Sequence, residues 1–341
     1  MDSVAILGAG AWGTALAVHL ARGRNAPQVR LWARDAAQAR AMASKCENAR
    51  YLPGVPLAPA IAIGAKLDAA IAGAALIVIA TPIAALVGVV TLLRDQLARE
   101  RHSVFPPLLW LCNGFVATGA APGVALAHRV VAPLWPEPVG VVSGPSFADE
   151  VARGLPTAVS VAATDGEVAE RVAQRLRGDT FRAYVSEDLP GVEVGGAVKN
   201  VLAIAAGTSD GLGFGHNARA ALITRGLAET GRLSAALGGK RETLMGLSGL
   251  GDLVLTCTGD LSRNRRVGLA LAQGRALPAV LAELGHVAEG VAAARDLRTL
   301  CTALGVEMPI CDAVYRVLYE SLPPRRAVEA LLSREPGPEF H

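Results

Sequence analysis

The hydrophobic pattern of the chain changes once, close to Leu189. Up to that point, short runs of consecutive apolar residues alternate with stretches whose apolar positions recur at helical spacing. Short apolar runs rich in branched residues are typical of buried parallel strands, and their alternation with helices is typical of a doubly wound sheet. The predicted strands are Ser3–Leu7, Val29–Ala33, Ile61–Ile63, Leu76–Ala80, Pro107–Leu111, Val139–Val142, Ala158–Ala162 and Phe181–Val185.

Beyond Leu189 the strand signals end, and apolar positions follow a helical period through alanine-rich sequence as far as Leu332. The pattern therefore predicts two domains. Residues 1–189 form an α/β domain with a doubly wound, mostly parallel sheet, and residues 190–333 form an all-α domain. The last residues, 334–341, are polar and contain proline, so we expect a frayed tail.

One stretch, Ala69–Leu93, has 25 residues without a charge and could be mistaken for a membrane span. It contains a short aliphatic run, then Thr81-Pro82, then an alanine-rich helical pattern. A strand, a turn and a helix explain this order better than one long helix, because proline interrupts the stretch. We therefore expect no membrane span.

Charge and cysteine content exclude several functional classes. The 33 basic and 30 acidic residues give a net charge of +3 and are spread along the chain, so no nucleic-acid partner is expected. Five scattered cysteines without a C-x-x-C pair indicate neither a disulfide framework nor a metal site. A reducing cytoplasm is the simplest location for such a chain.

The first candidate site is a glycine pattern. Gly8, Gly10 and Gly13 form G-x-G-x-x-G between the strand Ser3–Leu7 and a predicted helix Thr14–Arg22. In this context the first glycine permits a tight turn, the second lets the backbone approach a pyrophosphate, and the third lets helix and strand pack closely. The pattern predicts a dinucleotide-binding domain.

Cofactor choice depends on the end of the second strand. An acidic residue there usually accepts a hydrogen bond from the ribose 2′-hydroxyl of NAD. Here Arg34 occupies that position and Asp35 follows it. A guanidinium suits the 2′-phosphate of NADP, so NADP, or use of both cofactors, is favoured over NAD alone. The alternative, that Arg34 stacks on the adenine or faces water, remains open.

Two further strand ends could deliver loops to the ligand crevice of such a sheet. They are Ala80–Pro82 and Ser143–Ala148. Each has an equally good structural explanation, in which Thr81 or Ser146 is simply the N-cap of the helix that follows.

The helical domain contains a lysine in an apolar, small-residue pattern. Lys199 is one of four lysines in a chain with 29 arginines. Burial lets a lysine exchange a proton near neutral pH, whereas arginine stays charged. Lys199 is therefore a candidate for proton transfer, although a lysine extending to the helix surface would show the same pattern.

Two later stretches supply what a lysine of this kind needs. Asp252, in GLSGLGDLVL, could orient the ammonium group, and Arg263, in SRNRR, could clamp a phosphate with its forked donors. The structural alternatives are that Asp252 and Ser262 are N-caps and that the arginine run is a solvated face.

With these motifs in view, the sequence resembles the bacterial NAD(P)-dependent glycerol-3-phosphate dehydrogenases over nearly its whole length. The resemblance is carried by GAGAWGTALA, YLPG, SGPSFADEVARGLPTA, GGAVKNVLAIAAGTSDGLGFGHNARAALITRGLAE, GLGDLVLTCTGDLSRNRR and GVEMPICDAVYRVLY. It implies a Rossmann domain followed by a helical domain, in a usually dimeric cytoplasmic enzyme. The implied reaction interconverts dihydroxyacetone phosphate and sn-glycerol 3-phosphate by direct hydride transfer, for phospholipid synthesis.

The resemblance also implies residue roles. Lys199 would be the proton donor and acceptor, with Asp252 beside it. The residues implied around the substrate are Asn113, Gly144, Ser146, Lys199, Asp252, Ser262, Arg263 and Asn264. Besides the three glycines, those implied at the cofactor are Ala11, Trp12, Arg34, Asn113, Ala148, Arg263, Val287 and Glu289.

One position departs from the family pattern. That pattern has tryptophan, two residues, lysine and glycine, whereas here Asn113 follows Trp110-Leu111-Cys112 where the lysine is expected. Asparagine keeps a hydrogen-bonding head but loses the charge and the reach. The substitution therefore leaves open a catalytically weak or silent NAD(P)-binding sensor. A separate alternative is a related two-domain reductase of another 2-hydroxy acid or phosphate.

Overall fold

The computed structural model describes residues 3–22, 26–99, 105–284 and 288–333. Its strands, in chain order, are β1 Ser3–Leu7, β2 Gln28–Trp32, β3 Glu47–Asn48, β4 Leu52–Pro56, β5 Ala62–Gly64, β6 Leu76–Ile79, β7 Leu108–Trp110, β8 Val116–Ala117, β9 Val124–Ala125, β10 Val139–Ser143, β11 Thr157–Ala163 and β12 Phe181–Ser186.

The α-helices are α1 Ala11–Leu20, α2 Ala36–Lys45, α3 Leu67–Ile71, α4 Leu86–Arg99, α5 Ala127–Val131, α6 Ala148–Arg153, α7 Gly166–Leu176, α8 Leu189–Gly211, α9 Gly215–Ala236, α10 Asp252–Thr258, α11 Arg263–Ala272, α12 Leu277–Leu284, α13 Glu289–Leu304, α14 Pro309–Tyr319 and α15 Pro324–Leu332. Short 3₁₀ segments cover Ile83–Ala85, Ala132–Leu134 and Glu242–Met245, and a π-helical turn covers Leu247–Gly251.

Among the described residues, eight strands form one sheet in the order β12-β11-β10-β7-β6-β1-β2-β5. Every neighbouring pair is parallel except β10 and β11. These are the eight predicted strands, and no end is displaced by more than one residue, so the mostly parallel sheet is confirmed. Strand order reverses between β1 and β6, which is where such sheets bind ligands.

Two small features differ from the predicted pattern. The first helix begins at Ala11 rather than Thr14, because Gly10 already adopts the extended conformation of an N-cap. The antiparallel ladders β3–β4 and β8–β9 were not predicted, since β3, β8 and β9 have two residues each and are too short to give an alternating pattern.

The chain divides into two compact units. Unit 1 contains the residues up to Cys112 and His128–Leu189, and unit 2 contains Asn113–Ala127 and the residues from Pro190 onward. The predicted first domain, 1–189, therefore needs one correction, because Asn113–Ala127 groups with the helices. The reason is burial: Phe115, Val124 and Leu126 lie in the apolar core of unit 2.

The core of unit 2 is built around α8. Among the described residues, this is the one helix long and apolar enough to cross a membrane, yet 94% of its most apolar stretch is buried inside the protein. It is therefore a core helix. The uncharged stretch Ala69–Leu93 is divided between α3, β6, a 3₁₀ turn and α4, as predicted.

A buried carboxylate holds the start of α14. Glu229, on α9, is only 4% exposed and accepts hydrogen bonds from the backbone N–H groups of Ile310 (2.8 Å) and Cys311 (3.3 Å). Burial raises the pKa of the Glu229 carboxyl to about 7, against the opposing effect of these two donors and of Arg232. The side chain is thus partly protonated near neutral pH.

This pKa predicts how stability depends on pH. Because the folded-state pKa of Glu229 is about 7 and its ordinary value is 4.5, the folded state binds a proton more tightly than the unfolded state. The contribution to the free energy of unfolding should be complete below about pH 4.5 and should decrease by roughly 3 kcal/mol as pH rises through 7. Urea unfolding of wild type and Glu229→Gln, measured from pH 4.5 to 8, should give a difference that declines over this range. A constant difference would contradict the assignment.

Candidate active site

The glycine loop of unit 1 has the geometry that its sequence predicts. Gly8 has φ of +124°, and a Cβ there would lie 2.7 Å from the carbonyl carbon of Ala80. A Cβ on Gly13 would lie 2.0 Å from the carbonyl oxygen of Gly8. A Cβ on Gly10, by contrast, would meet no described atom within 4 Å. Gly8 and Gly13 are therefore required by packing, whereas Gly10 leaves a cradle that a ligand can approach.

Two side chains that the sequence did not single out hold this loop in place. Asn48, which is 1% exposed, donates to the carbonyl of Ala9 (3.0 Å) and to the hydroxyl of Thr14 (2.8 Å). Gln38 donates to the same Ala9 carbonyl (2.9 Å). Because both come from other segments of unit 1, no local pattern could have identified them.

The start of α1 can receive an anion. Ala11 and Trp12 begin the helix and are half-buried, and the N-cap Gly10 has no side chain to occupy the first backbone N–H groups. Unpaired N–H groups at a helix N-terminus bind phosphate well. The residues present therefore fit a dinucleotide pyrophosphate at this position.

The end of β2 presents an arginine. Asp35 accepts from the backbone N–H groups of Ala37 (2.8 Å) and Gln38 (3.4 Å), so its carboxylate is the N-cap of α2. Arg34 is exposed. Asp35 is exposed as well, but its carboxylate is already engaged in capping.

The capping explanations for Thr81 and Ser146 are both wrong. Pro82 is the N-cap of the 3₁₀ turn after β6, and the buried Thr81 hydroxyl has no partner among the described residues. The Ser146 hydroxyl donates to the Gly144 carbonyl (2.8 Å) instead of capping α6.

Two other predicted residues lie in the same strand-end loop. Gly144 has φ of +150°, and a Cβ there would lie 2.9 Å from Cα of Val159, so only glycine fits. Ala148 is the first residue of α6 and packs against the core of unit 1.

In unit 2, Lys199 and Asp252 form a direct ion pair. The Lys199 Nζ donates to Asp252 Oδ2, and their side chains are only 11% and 3% exposed. Asp252 is the first residue of α10, whose N-cap is Gly251, so its carboxylate is not a capping group. A carboxylate in the first turn of a helix is also favoured by the helix dipole.

A third residue supports this pair. The Thr256 hydroxyl donates to the backbone carbonyl of Asp252 (2.6 Å) and lies 3.3 Å from its Oδ1. The sequence did not identify Thr256, although its i+4 spacing from Asp252 on one helix is a signal that could have found it.

Small residues on α8 allow this arrangement. A Cβ on Gly195 would lie 2.4 Å from the backbone carbonyl oxygen of Ser248, in the π-helical turn that precedes Asp252. The backbone of this turn therefore lies directly against α8.

The start of α11 is joined to α8 and α13. Asn264 donates to the side-chain oxygen of Asn200 (2.9 Å) and accepts from the backbone N–H of Gly290 (3.0 Å). Ser262 is the N-cap of α11 and accepts from the N–H of Arg265 (3.2 Å), which is the structural alternative stated for it. Asn200, like Thr256, was absent from the predicted site residues.

The remaining predicted residues have different surroundings. Arg263 is exposed at the first position of α11, Glu289 is half-buried at the first position of α13, and Asn113 is half-buried in unit 2. Val287 lies outside the described residues. Within the part of the chain that the structure describes, no group of three histidine, cysteine, aspartate or glutamate residues is arranged to hold a metal ion.

Comparison with known proteins identifies the family. The model of the NAD-dependent glycerol-3-phosphate dehydrogenase N-terminus matches residues 3–169, and that of the C-terminus matches residues 188–329. The chain belongs to the glycerol-3-phosphate dehydrogenases. All predicted site residues lie inside these two ranges.

Several members of the family are similar along their full length. The glycerol-3-phosphate dehydrogenase [NAD(P)+] of Thiobacillus denitrificans is 52% identical over 98% of this chain and 99% of its own. That of Methylibium petroleiphilum is 55% identical over 99% of this chain and 98% of its own. The crystal structure of glycerol-3-phosphate dehydrogenase from Coxiella burnetii superposes with a TM-score of 0.91, at 43% identity, and covers 98% of this chain and 99% of its own.

For a glycerol-3-phosphate dehydrogenase, the contact between Thr256 and Asp252 predicts a kinetic effect. Thr256→Val removes the hydroxyl that lies 3.3 Å from the Oδ1 of Asp252. A polar contact with a charged group is worth about 1.5–3 kcal/mol, so kcat/KM should fall by roughly tenfold or more. Thr258 provides a matched control, because its hydroxyl makes the same bond to the carbonyl four residues earlier (2.7 Å) but is exposed. Steady-state kinetics of Thr258→Val should be close to wild type. Equal losses in the two variants would contradict the role of Thr256.

Proposed function

We propose that this chain catalyses the reversible reduction of dihydroxyacetone phosphate to sn-glycerol 3-phosphate with NADPH or NADH. The observation that carries the proposal is the buried pair of Lys199 and Asp252 in a member of the glycerol-3-phosphate dehydrogenases. We further propose that the enzyme is a cytoplasmic homodimer and that its product supplies glycerophospholipid synthesis.

Lys199 acts as the acid in the reduction. Its ammonium group has three donors, and Asp252 takes one of them, so the same group can contact Asp252 and a substrate together. Lys199 gives a proton to the ketone oxygen as that oxygen gains charge, and it takes the proton from the hydroxyl in the reverse direction. Asp252 holds the ammonium in position through this contact.

Arg263 binds the phosphate of the substrate. Its guanidinium is exposed at the start of α11, where the forked donors and the helix N-terminus both favour an anion. Ser262 and Asn264 define this helix end through the cap and the bond to Asn200. The family likeness further assigns Gly144 and Ser146 to the substrate.

The dinucleotide is held by unit 1. The loop Gly8–Gly13 and the start of α1 take the pyrophosphate, and Arg34 takes the 2′-phosphate of NADP. The unpartnered Thr81 hydroxyl beside this loop is a further donor for the cofactor. When bound, the reduced nicotinamide supplies the hydride that reduces the ketone carbon.

The residues that the family likeness adds to the cofactor site extend this arrangement. Ala11 and Trp12 lie at the start of α1, and Ala148 begins α6. Asn113, Arg263, Glu289 and Val287 complete the proposed set.

Replacement of Lys199 tests the function directly. Lys199→Ala removes the acid, so kcat for dihydroxyacetone phosphate should fall by about 100-fold or more, while the Kd for NADPH, measured by fluorescence titration, should remain close to wild type. Lys45→Ala, at an exposed lysine in the last turn of α2, is the control and should keep full activity. Turnover of Lys199→Ala near the wild-type rate would sink the assignment, and so would a wild-type enzyme that reduces other keto acids but not dihydroxyacetone phosphate.

Because asparagine replaces the family lysine at position 113, we expect that restoring the lysine increases kcat/KM. A lysine at this position would add a cation at the substrate, and a single donor of this kind contributes about 2–4 kcal/mol to transition-state stabilisation. Asn113→Lys should therefore raise kcat/KM by roughly 30- to 1000-fold, with NADPH and with NADH. Gln273→Lys adds the same charge at an exposed position just after α11 and should change neither constant. Unchanged kinetics in Asn113→Lys would show that this position does not limit the enzyme.

A further inference from the structure

A buried network of charges lies along α8 from the ion pair described above. Asp210 follows Lys199 by eleven residues, or about three helical turns, so both side chains project from the same side of the helix. The Asp210 carboxylate accepts from Arg265 Nε (3.2 Å), Arg265 Nη2 (2.8 Å) and Arg219 Nη1 (2.9 Å). Its side chain is only 11% exposed, and that of Arg265 is 12% exposed.

The network joins three helices of unit 2. Asp210 belongs to α8, Arg219 to α9 and Arg265 to α11. Both Arg265 contacts reach one carboxylate oxygen, so the fork of its guanidinium is directed at Asp210. Its remaining terminal nitrogen contacts Asp260 (2.9 Å), whose side chain is 97% exposed.

A buried ion pair of this kind is weak evidence for stability, because removing the charges from water costs about as much as their attraction returns. Its geometry, however, is directional, since a forked guanidinium fixes both distance and orientation. The network is therefore better explained by a need to hold one arrangement of the helices than by a need for stability.

The backbones of α8 and α11 are already in contact. A Cβ on Gly207 would lie 2.0 Å from the carbonyl oxygen of Arg265, and a Cβ on Gly268 would lie 2.1 Å from that of Ile204. Smooth glycine contacts bring two helices together but do not by themselves set their register. The bond between Arg265 and Asp210 supplies that register.

Arg263 is followed in the chain by two residues whose side chains form hydrogen bonds to α8. The next residue, Asn264, is bonded to Asn200, and the residue after it, Arg265, is bonded to Asp210. Ser262, which precedes Arg263, caps the helix through the N–H of Arg265. The position of the Arg263 backbone relative to Lys199 therefore depends on both bonds to α8.

We infer that Asp210 and Arg265 are positioning residues, which hold Arg263 at the phosphate of the substrate without touching the substrate themselves. This inference rests on the proposed function, in which Arg263 binds phosphate. Displacement of a binding group by about 1 Å can cost on the order of 100-fold in rate, so the register of α11 matters for catalysis.

The test is the split between substrate binding and turnover. In Asp210→Asn and Arg265→Gln, KM for dihydroxyacetone phosphate and the competitive Ki for inorganic phosphate should both rise by about tenfold. The value of kcat should change by less than about threefold, because Lys199 and Asp252 are untouched, and the Kd for NADPH should be unchanged. Asp260→Asn is the matched control: it removes the exposed partner of the same Arg265 and should leave all four constants at wild-type values.

Two further variants separate positioning from folding. Arg265→Lys keeps the charge and loses the fork, so it should remain folded and show a KM between those of wild type and Arg265→Gln. The double variant Asp210→Asn, Arg265→Gln should raise KM no more than the larger of the two single effects. The reason is that each substitution removes the same contact, the one between Arg265 and Asp210. Thermal melting of each variant reports whether it is folded.

The outcomes are distinguishable. A wild-type enzyme without turnover of dihydroxyacetone phosphate would overturn the proposed function together with this inference. An active wild type, with KM and the phosphate Ki unchanged in folded Asp210→Asn and Arg265→Lys, would overturn the positioning role alone. A loss confined to kcat would also overturn it.

Discussion

The pair of Lys199 and Asp252 is the interaction on which the candidate active site in unit 2 depends. Two opposite charges with side chains 11% and 3% exposed lose most of their hydration, and this costs several kcal/mol for each ion unless the geometry compensates. Compensation comes from their contact, from the Thr256 hydroxyl and from the start of α10. A charge held in this way is preorganised, which is what proton transfer to a developing oxyanion requires.

This pair explains the composition of α8. A lysine inside an apolar core needs its carboxylate within reach, so the chain carrying Asp252 must lie against α8. Glycine at position 195 permits that contact, and the π-helical turn Leu247–Gly251 delivers the aspartate. Further along α8, Gly207 brings α11 equally close. The small residues of α8 are thus explained by the two backbone segments that pack directly on this helix, the π-helical turn and α11.

In unit 1, glycines also permit close backbone contacts, here in the loop proposed to bind the dinucleotide. Gly8 and Gly13 are confined by Ala80 and by each other, whereas Gly10 faces open space. The sequence pattern already assigns these roles to the three glycines, and the structure shows the backbone contacts that require them. Around the loop, Asn48 and Gln38 fix the Ala9 carbonyl, so residues remote in sequence hold the cradle in place.

The sequence by itself predicted the eight strands of the sheet, the helical nature of the second part and the glycine loop, and it made Asp252 a candidate partner for Lys199. Each depends on short-range periodicity, or on a charged residue in apolar sequence whose burial costs free energy unless it has a partner. Tertiary structure alone decided that Asn113–Ala127 packs with unit 2, that Thr81 and Ser146 are not caps, that Asn200 bonds to Asn264 and that Asp210 bonds to Arg265. These facts depend on which distant surfaces meet, and burial and hydrogen bonding between distant segments leave no periodic trace in the chain.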